Sequence, residues 1–270
     1  MKEKYPEDTP IEVVLPRKYA PTCVHDVIRL GSKFDGGYAI CQTSIQNSDF
    51  LLSLGMSEDW RFEEDFLNLK YVPTHVYDHT VTRYWLIKNA IKNFVKALLL
   101  QYPKENLLLS LRALVKYRGF VSQEGVNHYI EKIVKIKMRG NETSLTDAIE
   151  RTRSSRLFLK MDIEGNEYRI LDQILESKEK FSGIAIEFHD LDLFEKQFEE
   201  FMEKILVDFR INAININNFG LVPNLGFPPV IEISLSKCEK CKNTNMDKIE
   251  LISCTPNNPI GPKYLIRFEE

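Results

Sequence analysis

Several apolar runs in this chain end on acids or amides. "LFLKMD" closes on Asp162, and Glu164 and Glu167 follow around Gly165. "IAIEFHD" carries Glu187, His189 and Asp190, "THVYDH" ends on Asp78 and His79, and "RINAINI" runs into Asn217 and Asn218. A buried strand has no use for a carboxylate at its tip unless something outside the sheet needs it. Carboxylates beside an imidazole can bind hydroxyl groups, move a proton near neutral pH or hold a divalent cation. On that ground Asp162, Glu187 and His189 are the candidate catalytic residues. His189 suits a general base, with Asp162 or Glu187 orienting the imidazole or taking the proton directly. A divalent cation bridging Asp162, Glu187 and an acceptor hydroxyl is the other way to acidify a nucleophile. The sequence assigns no dedicated metal ligands. Glu167 reads more simply as an acid at the positive start of the following helix.

The elements behind these tips must bring them together. Apolar strands are expected at 50–55, 74–79, 156–162, 182–190, 210–216 and 230–236, separated by amphipathic helices. One helix, "EDWRFEEDFLNLK", presents Trp60, Phe62, Phe66 and Leu69 as candidate inward positions. Another, "SLTDAIER", has Ser144 or Thr143 as its cap. Such alternation predicts an α/β fold, a mostly parallel sheet with helices on both faces. Right-handed crossovers then put the acidic tips on one edge, where ligands of such sheets bind.

The first strand ends at Gly55, which lets the backbone pass close beneath a ligand. Ser57 and Glu63 follow it, and Asp78 closes the next strand, where a carboxylate can accept from ribose hydroxyls. The dinucleotide fingerprint G-x-G-x-x-G is absent, for "LGMSEDW" holds one glycine and two acids. A pyrophosphate would be repelled there and a cationic nucleoside would not. S-adenosyl-L-methionine fits that description.

In collinear order, "FDGGYAI", "LLSLGMSEDWRFEEDF", "VYDHT", "SLTDAIE", "LFLKMDIEGNEYRIL" and "IAIEFHDLD" resemble the FkbM-type S-adenosylmethionine-dependent methyltransferases, over roughly residues 29–235. The lone glycine of the first loop departs from the richer motif of many methyltransferases. The resemblance implies a Rossmann-like class I methyltransferase sheet of seven strands. It also implies methyl transfer, often to a sugar or polyketide hydroxyl. By carry-over, Gly55 with its neighbours holds the methionine part, Asp78 the ribose, and Asp162 lies between cofactor and acceptor. It further makes Gly36 and Gly37, otherwise a hairpin turn signal, part of a cofactor-site loop. The expected acceptor is a sugar, nucleotide-sugar or glycan hydroxyl, with carbohydrate modification or polysaccharide biosynthesis as the setting. Two other readings stay open: a non-catalytic S-adenosylmethionine- or sugar-binding protein of the same fold, and an NAD-dependent sugar oxidoreductase.

The 270 residues, with 43% hydrophobic and 28% charged, suit one domain over 1–270. It is divided into an N-terminal hairpin extension (1–48), a helical insertion (82–140) and a C-terminal tail (237–270). The net charge of -3 gives no global reason to expect nucleic acid. Lysines and a proline interrupt the most apolar region, "AIKNFVKALLLQYPKENLLLSLRALVKY", so a pair of amphipathic helices is expected rather than a membrane span. A polar start and five cysteines, an odd number, point to reduced thiols and a cytoplasmic location. "CEKC" has metal-type spacing, but lacks the second pair that a structural zinc needs.

Overall fold

The computed structural model describes residues 10–24, 26–33, 35–57, 59–98, 104–218, 227–237, 251–258 and 261–270. Glu58, Gly220 and the Cys238/Cys241 pair lie outside them. Along the chain come β1 (Ile11–Pro16), the hairpin β2 (Val27–Gly31) and β3 (Gly37–Cys41), α1 (Gln42–Gln46) and β4 (Phe50–Leu54). Then follow α2 (Arg61–Leu69), β5 (Thr74–Tyr77), the long helices α3 (Arg83–Leu98) and α4 (Lys104–Val121), and β6 (Val126–Tyr129). The short pair β7 (Lys132–Val134) and β8 (Glu142–Ser144) leads into α5 (Leu145–Thr152) and β9 (Leu157–Met161). The remainder is α6 (Leu171–Glu176), β10 (Phe181–Phe188), α7 (Glu195–Ile205), β11 (Arg210–Ile216), β12 (Ile231–Ser236), β13 (Leu251–Ser253) and β14 (Tyr264–Glu269).

Seven strands form the central sheet, in the order β11-β12-β10-β9-β4-β5-β6. β4, β5, β6, β9 and β10 run parallel, while β12 runs against both β10 and β11. The strand order reverses beside β4, whose neighbours are β5 and β9. The crevice beyond the carboxyl ends of β4 and β9 is therefore where such a sheet takes its ligand.

Alternation along the strands sorts two cores onto the two faces. Leu52, Leu159 and Ile186 point into a core with Leu145, Ile174 and Phe198 of α5, α6 and α7. Leu51, Phe158 and Ala185 point into another, with Tyr38 of the hairpin, Phe62 and Phe66 of α2, and Phe120 of α4. In α2, Phe62 and Phe66 face inward as expected, but Leu69 is exposed and Leu67 takes the buried position. Trp60, just before α2, is buried against Tyr117 and Phe120.

Two expectations need correction. Residues 82–140 are not one helical insertion: α3 and α4 end at Val121, and β6 is an edge strand of the central sheet. Val126 to Tyr129 pair in parallel with Thr74 to Tyr77 of β5. Nor are all the thiols reduced, for Cys23 is disulfide-bonded, whereas Cys41 and Cys254 are free and buried. The tail is part of the fold. β14 pairs in parallel with β1, from Ile11↔Tyr264 to Pro16↔Glu269, and antiparallel with β13. Val13, Leu15, Ile266 and Phe268 of this small sheet join the core behind α7.

Candidate active site

The first loop is built by close approach. Gly55 has φ +80°, and a Cβ there would lie 1.6 Å from the carbonyl oxygen of Asp162. The Asp162 N–H donates to the Leu54 carbonyl at 2.9 Å, so the tips of β4 and β9 are locked edge to edge. Ser57 and Glu164, one on each tip, both hold the left-handed conformation, with φ 51° and 53°. Strain of that kind persists only where the surroundings over-determine it.

Asp78 anchors the loop from β5. Its Oδ2 accepts from the Met56 and Ser57 N–H groups at 2.9 Å each. Its Oδ1 accepts from the Thr80 N–H at 2.7 Å, the Thr80 hydroxyl at 2.6 Å and the Val81 N–H at 3.1 Å. Burial opposes ionisation, but the bonds from Thr80, Met56 and Ser57 outweigh it and hold the carboxyl below its ordinary range. Five donors already occupy the lone pairs on which the expected ribose role depends, so the visible task of Asp78 is to shape the Met56–Ser57 turn.

Two adjoining cavities open on this edge. One, of about 250 Å³, is lined by Gly55, Tyr77, Asp78, His79 and Glu131. The other, of about 550 Å³, is lined by Asp35, Gly36, Lys160, Glu187, His189 and Asn217. Ser57, Asp162 and Glu164 border both. Among the candidate residues, Asp162, Glu187 and His189 thus share the larger cavity, and Gly55 and Asp78 the smaller. Gly36 faces the larger one. Gly37 and Glu63 line neither. Gly37 packs where a Cβ would lie 2.0 Å from the Ser32 carbonyl oxygen, a requirement of the hairpin.

Glu63 has another partner. Lys160 stands in the middle of β9, in register with Ser53 of β4 and Ala185 of β10, and is buried. Its ammonium donates to the Gly55 carbonyl and lies 3.5 Å from Asp162 Oδ2. Glu63 is fully buried on the same face and accepts from the Ser53 hydroxyl at 2.5 Å. Burial works against the Lys160 charge, but Asp162, Glu63 and Glu187 raise its pKa above the ordinary lysine value. A buried cation thus underpins the floor of the site.

His189 is ringed by acids. Its Nδ1 donates to Glu167 Oε1 at 3.1 Å, and its Nε2 lies 3.6 Å from Glu164, 3.9 Å from Asp162 and 3.9 Å from Glu187. Burial lowers its pKa, but the Glu167 bond and the charges of Glu167, Glu187 and Asp162 prevail and push it up to about 9. The imidazole therefore carries a proton at neutral pH, unlike a free base. Glu167 is fully buried and also accepts from the Ile163 and Gly165 N–H groups, so it is no ordinary helix-start acid. Burial, then the charges of Asp162 and Glu232, raise Glu187 well above the ordinary carboxyl range. Asp162, Glu164 and His189 each offer a ligand atom, all within 4.8 Å of one another.

The hairpin closes the larger cavity. The Tyr38 hydroxyl lies 3.0 Å from Glu187 Oε2 and 3.2 Å from Asp162 Oδ2. The Asn217 amide donates to Glu187 at 2.8 Å and lies 3.4 Å from Asp35 at the hairpin tip. Asn257, from the tail, stands at the same distance from Asp35 and donates to buried Glu232 at 2.5 Å. Asn217 therefore does more than make a turn. The sequence reading missed Lys160, Tyr38, Glu232 and Asn257. A lysine inside "LFLKM" and a glutamate inside "VIEISL" were the signals available.

With six strands running one way, a single reversed strand inserted next to the far edge, and the ligand crevice beyond β4 and β9, the fold is the Rossmann-like fold of class I methyltransferases. No family model matches the chain, and no curated protein matches it. Similar solved structures include precorrin-6y C5,15-methyltransferase from Geobacter metallireducens GS-15, with 13% identity and a TM-score of 0.38 over 73% of this chain and 86% of that one. Another is a Streptococcus pneumoniae putative tRNA (m1A22) methyltransferase in complex with S-adenosyl-L-methionine, with 11% identity and a TM-score of 0.36 over 72% and 69%.

Proposed function

We propose that the protein is an S-adenosylmethionine-dependent O-methyltransferase of the FkbM type that acts on a sugar hydroxyl. The observation carrying this reading is the pair of adjoining cavities that meet at Asp162 on the sheet's ligand edge. The smaller cavity suits the donor. Among the described residues, Asp78, Glu131, Asp162 and Glu164 line it against Lys132, a balance that favours a positively charged, phosphate-free ligand. Gly55, Ser57 and the loop pinned by Asp78 would hold it. Bound there, S-adenosyl-L-methionine supplies an electrophilic methyl group.

The chain's own work is positioning and proton removal. The acceptor enters the larger cavity, where Glu187, Asn217 and Asp35 offer hydrogen-bonding groups to several hydroxyls. Asp162, common to both cavities, takes the proton of the attacking hydroxyl. Protonated His189 and Lys160 flank Asp162 and hold its carboxylate in place, so His189 acts as a positioning residue rather than the base. A second reading has a specific observation behind it: Asp162, Glu164 and His189 are spaced to hold a divalent cation, which would acidify the hydroxyl directly.

Isothermal titration with S-adenosyl-L-methionine tests the donor, and absence of heat together with no competition by S-adenosylhomocysteine would refute it. Methyl transfer across a panel of free, amino- and nucleotide-linked sugars tests the acceptor. Binding without turnover on any of them would favour a non-catalytic binding protein. Loss of turnover in EDTA, restored by magnesium or manganese, would assign the cation; unchanged turnover would leave Asp162 alone.

A further inference from the structure

Charge is distributed unevenly along this chain. Residues 82–123 carry eight Lys and Arg against one acid, a net of +7, which leaves -10 on the rest of a molecule whose net charge is -3. α3 turns Leu86 and Ala90 inward. Its opposite side exposes Tyr84 (75%), Ile91 (58%) and Val95 (47%), spaced seven and four residues apart along one stripe. Lys88 and Lys92 are exposed on the same side, and Phe94 is half-exposed beside it. α4 buries Tyr117 and Phe120 against Trp60 and leaves Val115, Lys116 and Arg118 exposed. Among the described residues, no ion pair engages Arg83, Lys88, Lys92, Lys116 or Arg118.

We infer that the α3–α4 hairpin docks the protein on an anionic lipid surface. Aliphatic side chains between lysines on flexible stems form the pattern that inserts shallowly beneath headgroups while the ammonium groups meet lipid phosphates. Charge complementarity selects that occupant over a face-to-face pair of copies, since this face would repel itself. Arg83, Arg118, Tyr84 and Phe94 on this face could also serve RNA, but the exposed aliphatic side chains of Ile91, Val95 and Val115 neither stack on bases nor meet phosphates, and they favour lipid. The contact would be peripheral, because no helix among the described residues is long and apolar enough to cross a membrane. The inference stands apart from the proposed chemistry. Its geometric consequence is that α3 starts four residues after His79, a residue lining the smaller cavity, so docking sets the catalytic edge near the lipid surface.

The test is flotation of the full chain with phosphatidylcholine vesicles, with or without about one-third phosphatidylglycerol. The protein is expected to float with the anionic vesicles, stay behind with neutral ones, and release as salt shortens the Debye length. Lys88→Glu with Lys92→Glu should weaken partitioning at least roughly tenfold, and Ile91→Ser with Val95→Ser should weaken it even at low salt. All four positions are exposed, so unchanged thermal unfolding is expected to show that the fold survives. No flotation, equal flotation with neutral vesicles, or wild-type flotation of the charge-reversed variant would overturn the inference. Tight binding to homopolymer RNA in place of vesicles would also overturn it and give the face to nucleic acid.

Discussion

Lys160 shows how one buried residue can govern the floor of a site. Its ammonium donates to the Gly55 carbonyl and lies 3.5 Å from Asp162, and the charge of buried Glu63 also favours it, inside a strand that is otherwise apolar. Removing one partner of a buried charge group strands the others, so Lys160→Met is expected to cost about 3–5 kcal/mol, measured by urea unfolding. Adding Glu63→Leu should return part of that loss. Gly55→Ala would drive a methyl group into the Asp162 carbonyl and is expected to destabilise the fold by more than ~2 kcal/mol while abolishing cofactor heat. Asp162→Asn should keep the fold and lower turnover by ~10²-fold or more, with binding of S-adenosyl-L-methionine retained in calorimetry. Asp162 and Glu187 were legible in the sequence because an acid ending an apolar run is conspicuous. Lys160 was not. The acids that most favour its charge lie 97 residues upstream and two downstream, and the first reaches it through the β4–β9 register, which sets Lys160 beside Ser53, and the bond from Ser53 to Glu63 on α2. His189 was legible as a site residue, but its protonation state was not, since the ring of acids around it comes from separate turns.

Among the elements, local signals were read most accurately where backbone chemistry alone decides. The Ser144 hydroxyl caps α5 by accepting from the Asp147 N–H at 3.0 Å, and Ser144→Ala is expected to cost about 1 kcal/mol in chemical denaturation. Where tertiary packing decides, the reading slipped. The helix after Glu167 starts only at Leu171, because the Glu167 carboxylate is drawn inward to the turn and to His189. β6 was concealed within a lysine-rich helical region by its four-residue length. β5 carries a pH-sensitive element. Burial, and then the charge of Arg151, lower the His75 pKa to about 4, and its ring packs edge-on to Phe50 and Tyr129. The unfolded chain takes up that proton near pH 6.5, which the folded chain refuses. The contribution of His75 is therefore complete above about pH 6.5 and declines as pH falls towards about 4. His75→Phe should flatten that acid limb in thermal unfolding followed by circular dichroism.

At the scale of the molecule, the alternation of strands and helices made the parallel sheet legible, whereas the pairing of its outlying strands was not. "IEVVLP" and "YLIRFE" are each too short and too far apart to announce one another, yet β1 and β14 form one parallel ladder. A variant lacking residues 263–270 would leave β1 unpaired and open the core around Val13 and Leu15; its melting temperature is expected to fall by ~5 °C or more. That ladder joins residues about 250 positions apart in sequence. Closing so distant a contact is among the slowest steps in folding. A ribosome releasing this polypeptide exposes β1 long before β14, so the apolar inner side of β1 must wait uncovered while about 250 further residues are made. Chaperone dependence during translation, and its relief when Val13 and Leu15 are made polar, would be the cellular trace of that delay.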